Sequence, residues 1–115
     1  FPETMQELVK ERLLVREPGS GTRNILEELL MARGMKIQDF EHYVEVENMH
    51  TIIRFLKKDC GISFMYKVAV EEELEKGILK EIQLSDFKMQ HDFDFIWEKG
   101  SIYSGKYCEV CEELA

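Results

Sequence analysis

Apolar positions along this chain follow two periods, the two-residue step of a half-buried strand and the 3.6-residue step of an amphipathic helix. A short helix is predicted over 4–10, with Pro2 suited to its start. Leu13, Leu14 and Val15 form an unbroken apolar run and predict a buried strand over 13–16. Residues 21–33 then place Ile25 and Leu29, with Leu26 and Leu30 beside them, at helical spacing, and Gly34 suits a left-handed helix end. Residues 42–46 alternate in the manner of a strand. A helix follows over 48–58, with Ile52, Ile53 and Leu56 inward and Asn48 as its cap. A short buried strand over 61–65 leads to a helix over 68–76 stopped by Gly77. Strands over 79–84 and 93–97 come next, the second alternating Phe93, Phe95 and Trp97, and Ser104 caps a last helix running to Leu114.

Repeated strand–helix units predict an α/β lobe, a mixed sheet of about five strands flanked by helices, with right-handed crossovers between parallel strands. Ligands of such sheets sit beyond the carboxyl ends of the strands. Three stretches with small polar residues are expected there: Ser20-Gly21-Thr22, then Glu47 to His50, then Ser63 to Tyr66. Three helix N-termini would then converge on one edge. Residues 85–92 are the only linker-like polar stretch, and no repeat is present.

The most specific chemistry lies in Arg16-Glu17-Pro18-Gly19-Ser20-Gly21-Thr22-Arg23. Strand, glycine-rich turn and helix start aim backbone N–H groups and the positive end of a helix dipole at an anion. A Walker-type phosphate loop would need a lysine followed by Ser or Thr after its second glycine, and here Thr22-Arg23 follows Gly21. The dinucleotide fingerprint needs three spaced glycines, and Gly19 and Gly21 supply two. A turn that only caps a helix is the plain alternative.

Charge narrows the field. Acids outnumber bases 23 to 15, for a net charge of -8. That balance argues against direct binding of nucleic acid, which relies on clustered Lys and Arg. No apolar run approaches the roughly 20 residues of a membrane span, and residues 1–10 do not read as a signal peptide. At 115 residues the chain is expected to be one compact unit, long enough for a single core but not for two full domains. It opens without methionine and is expected to be a piece of a larger protein. Three cysteines give no disulfide framework, so reduced thiols are expected; Cys108 and Cys111 have C-x-x-C spacing, but Tyr107, Val110, Cys111 and Leu114 share one helical face, which favours burial as small hydrophobes. The three histidines are scattered, and Ser20 with His50 is the one enzyme-like pairing available.

Taken in order, several segments resemble the effector-binding domain of LysR-type transcriptional regulators. They are Leu14 to Arg23, Val46-Glu47-Asn48, Gly61-Ile62-Ser63-Phe64, Val68-Ala69-Val70 with Glu73-Leu74, and Gly77-Ile78-Leu79. A Phe/Trp-rich strand and a closing helix after Ser104 complete the set, so the resemblance covers about residues 8–114. Asp59-Cys60 departs from it, since the family usually has Gly and an apolar residue there. If that turn needs a positive φ, Asp59 must tolerate it.

The resemblance implies a periplasmic binding protein type II-like fold of two lobes around an effector cleft. This chain would be a single lobe, the second, over 1–115, with the helix over 104–115 returning to the missing first lobe. It also implies a cytoplasmic, non-enzymatic regulator that senses a small, anionic effector without a cofactor or metal. Such a regulator would be a homo-oligomer that meets DNA only through a winged helix-turn-helix absent from this chain, with no membrane contact. Ser20, Gly21 and Thr22 would donate to the effector's anionic group. Asn48 and Met49 would line the cleft, followed by Ser63 and Phe64. Arg16 could offer charge or pair with Glu17. A solute-binding receptor lobe of a transport system has the same fold and is the alternative.

Overall fold

A computed structural model of the chain describes residues 3–82, 84, 85 and 93–98. Its elements in order are α1 (Met5–Leu8), β1 (Arg12–Val15), α2 (Gly21–Met31), β2 (His42–Glu45), α3 (Met49–Lys57), β3 (Ser63–Tyr66), α4 (Glu71–Glu75), β4 (Leu79–Glu81) and β5 (Phe93–Glu98). Short 3-10 turns at Ile37–Asp39 and Lys67–Val70 lead into β2 and α4. The helix expected over 104–114, the Cys108–Cys111 pair, His91 and most of the linker expected over 85–92 lie outside the described residues.

β1 and β2 pair in parallel, Leu13 opposite Tyr43 and Val15 opposite Glu45, with α2 in the crossover between them. β5 lies between β3 and β4 and is antiparallel to both. The expected single sheet of about five strands is therefore corrected: among the described residues five strands form two sheets, of two and three strands. The sheets touch at one parallel bridge, Leu13 opposite Ile62. There the Leu14 N–H donates to the Ile62 carbonyl and the Ile62 N–H to the Arg12 carbonyl, each at 2.8 Å. Further along, the Ser63 hydroxyl donates to the Leu14 carbonyl at 2.7 Å. A continued parallel ladder would bring a backbone N–H of β3 to that same acceptor. A side chain has replaced the ladder.

Gly61 permits this close approach. A Cβ at that position would lie 2.5 Å from the Arg12 carbonyl oxygen. Just before it, Asp59 adopts φ 57, so the turn after α3 does require the left-handed conformation. The Cys60 N–H reaches back to the Phe55 carbonyl at 2.9 Å and the Asp59 N–H to Leu56 at 3.0 Å, the Schellman pattern in which glycine is the usual residue. Gly34 plays its expected part after α2, with φ 71 and the Met35 N–H on the Leu30 carbonyl at 2.9 Å.

All four residues of β1 are buried, and Leu13, Leu14 and Val15 alternate between two cores. Leu13 and Val15 join Leu26 and Leu30 of α2 and the aromatic group Phe64, Phe93 and Phe95. Leu14 joins Ile52 and Leu56 of α3 with Met65 and Ile96. Cys60 is fully buried and disulfide-bonded, which corrects the expectation of reduced thiols at this residue. Spacing along the chain singles out only Cys108 and Cys111 and says nothing of bonds made across the fold. Among the described residues no helix is long and apolar enough to cross a membrane.

Candidate functional site

Parallel pairing sends the carboxyl ends of β1 and β2 to the same edge, and α2 and α3 begin there. The Val46 N–H donates to the Val15 carbonyl at 2.8 Å, fastening the two strand ends together. Ser20 caps α2, its hydroxyl accepting the Arg23 N–H at a long 3.5 Å. Among the described residues the N–H groups of Gly21 and Thr22 have no partner, so two donors and the dipole of an eleven-residue helix face outward. Asn48 caps α3 more fully, accepting from the N–H groups of His50 at 2.8 Å and Thr51 at 3.3 Å. Met49 packs against the core on that side. Ser20, Gly21, Thr22, Asn48 and Met49 thus stand at two helix starts on one edge.

The remaining expected residues are placed differently. Arg16, just past β1, pairs with Glu17 through Nε to Oε1 at 2.9 Å and Nη2 to Oε2 at 3.4 Å. The arginine hydrogen bond holds the Glu17 carboxyl below its ordinary range. Ser63 to Tyr66, expected as a third loop, is strand β3 itself, a correction of its place at the edge. Ser63 is 1% exposed with its hydroxyl committed to Leu14, and Phe64 is 4% exposed. The Phe64 ring stacks on Phe93 with centroids 5.2 Å apart and meets Phe95 edge-on at 5.3 Å. Residues 61–65 are all buried, and a strand buried on both faces lacks the alternation that would mark its boundary. The third connection is instead the turn Lys67–Val70, and the five-residue α4 behind it has no side-chain cap.

Sequence reading missed Arg23. It is 5% exposed, and its Nη1 donates at 3.0 Å both to the Arg16 carbonyl and to Glu45 Oε1. Its Nε lies 3.6 Å from Glu27 Oε2. The signal was available: Arg23, Leu26 and Leu30 are the buried positions of α2, so this charge stands on the helix's core stripe.

Beyond α3 a groove of about 720 Å³ opens between that helix and the stretch after β3. His50, Arg54 and Lys57 line one wall and Glu71 and Glu72 the other, over Val68. Lys57 reaches across to Glu73 at 3.2 Å. A hydrogen bond from its own backbone, then that lysine, lower the Glu73 carboxyl pKa against the opposing effect of burial. Among the described residues no group of three or more His, Cys, Asp or Glu side chains could hold a metal ion.

Helices springing from the carboxyl ends of adjacent parallel strands are the architecture of α/β ligand-binding lobes. The chain belongs to the LysR substrate binding domain family, whose model matches residues 2–107. It is 32% identical over 81 residues to the HTH-type transcriptional regulator YeiE of Escherichia coli (strain K12), covering 70% of this chain and 27% of that protein. It is 29% identical over 97 residues to the HTH-type transcriptional regulator CbbR of Rhodospirillum rubrum, covering 84% and 32%. Against the RuBisCO operon transcriptional regulator of Allochromatium vinosum the identity is 24% over 97 residues, covering 84% and 31%. The chain therefore spans about a third or less of the length of the curated relatives it matches.

Proposed function

We propose that this chain is an effector-sensing lobe of a cytoplasmic LysR-type transcriptional regulator, with a periplasmic binding protein type II-like fold. The observation that carries this reading is the family match over residues 2–107, joined to relatives named as transcriptional regulators. A small anionic molecule binds between this lobe and another, against the N–H groups of Gly21 and Thr22 and the hydroxyls of Ser20 and Thr22. Asn48 and Met49 border it, and Arg16 acts through its pair with Glu17. Ser63 and Phe64 support the lobe from within. No catalytic step is assigned. The effector acts by binding one arrangement of a homo-oligomer better than another, and DNA is met through a separate domain.

Calorimetry on the intact regulator with its effector tests the site. Thr22→Val removes a hydroxyl while nearly keeping shape, and its expected cost is about 0.5–1.5 kcal/mol of binding for a neutral hydrogen bond. Unchanged affinity in Thr22→Val and in Ser20→Ala would mean that the glycine turn is only a helix cap.

A further inference from the structure

We propose that Arg23 is the positioning residue of this edge: its guanidinium sets the spacing of the two helix starts, and so decides how tightly the edge holds a ligand. The inference rests on reading the edge as the effector site. One buried side chain, carried by the first turn of α2, holds the end of β1 through the Arg16 carbonyl and the end of β2 through Glu45, each at 3.0 Å. The Asn48 cap of α3 follows Glu45 by three residues. Arg23 is therefore tied to both helix starts, to α2 by its own backbone and to α3 through the last residue of β2.

A bland core role would leave the guanidinium fully satisfied and distant from the edge. Instead Nε is buried without a hydrogen-bond partner, 3.6 Å from Glu27 Oε2, while Nη1 bridges two strand ends. The planar guanidinium fixes the directions of the two Nη1 hydrogens that make that bridge. A lysine ammonium can donate to two acceptors as well, but on a flexible stem that does not fix their directions. Glu45 is about half exposed, so the contact can be cut from its outer side without opening the core.

The experiment titrates inorganic sulfate into the isotope-labelled intact protein while following the backbone amides of Gly21 and Thr22. Arg23→Lys, Glu45→Gln and the double variant are compared with the parent, and thermal melting is recorded for each. Sulfate is expected to shift both amides in the parent. Arg23→Lys and Glu45→Gln should each weaken binding about 3- to 10-fold, with Glu45→Gln melting like the parent. The double variant should bind no worse than the weaker single, because both changes weaken the one Arg23–Glu45 contact. Parent-like affinity in Glu45→Gln, or full additivity in the double variant, overturns the role of Arg23 while the edge remains a site. No shift in the parent overturns the site reading and the inference together. If Arg23→Lys does not fold, Glu45→Gln decides alone.

Discussion

The Ser63 hydroxyl donates to the Leu14 carbonyl at 2.7 Å across 49 residues of sequence, joining the two sheets through a side chain. Both residues are buried, so removing the donor leaves a carbonyl with no access to water. Ser63→Ala should cost about 1–3 kcal/mol of stability. Urea unfolding should show a lower midpoint with an unchanged slope.

The same seam is sensitive from its backbone side. Gly61→Ala puts a methyl group 2.5 Å from the Arg12 carbonyl oxygen, and the obstacle is backbone rather than a side chain that can swing away. The expected loss is about 1–3 kcal/mol, read in the same unfolding experiment.

Asn48 satisfies two N–H groups at the start of α3. Asn48→Ala should lower stability by about 1 kcal/mol, and Asn48→Asp should restore most of it, since the aspartate also accepts and favours the dipole. Circular dichroism melting of the three proteins checks the order.

Asp94 gives a pH dependence of known sign. It is 5% exposed on β5, and burial pushes its carboxyl pKa from 3.8 up to about 6. The Phe95 N–H, at 2.8 Å, opposes this; the Glu81 carboxylate adds to it and the Lys67 ammonium reduces it. The folded state holds this proton more tightly than the unfolded chain. Stability from the protonated form is thus complete below about pH 4 and lost as pH rises through about 6. Asp94→Asn keeps an acceptor for Phe95 and removes the charge. It should stabilise the fold by about 1–3 kcal/mol at pH 7, with the gain vanishing below about pH 4. Unfolding midpoints across that range measure it.

Much of this arrangement can be read from sequence because local patterns agree with the fold. The apolar run at 13–15, the Ser20 and Asn48 caps and the Gly34 helix end each name their element with little dependence on distant residues. The predicted helix over 68–76 shortens to Glu71–Glu75 because a 3-10 turn occupies Lys67–Val70, and Val70 offers no capping oxygen. The proposed edge site is half legible. Helix starts announce their donors, but Arg23 looks like one more surface charge until its place on the stripe of Leu26 and Leu30 is counted. Ser63 and Phe64 carry no mark separating a loop lining from a strand buried on both faces.

Leu13 and Leu14 face opposite cores, and the bridge to Ile62 sits between them. Prising the two sheets apart at that point would wet both cores together, so no small fluctuation can open it. The amide protons of Leu14 and Ile62 should therefore exchange with solvent only when the whole fold opens. Two sheets joined by that bridge and by the Ser63 hydroxyl would then behave as one cooperative unit, and strain applied at the carboxyl edge would move the fold as a body rather than part it along its seam.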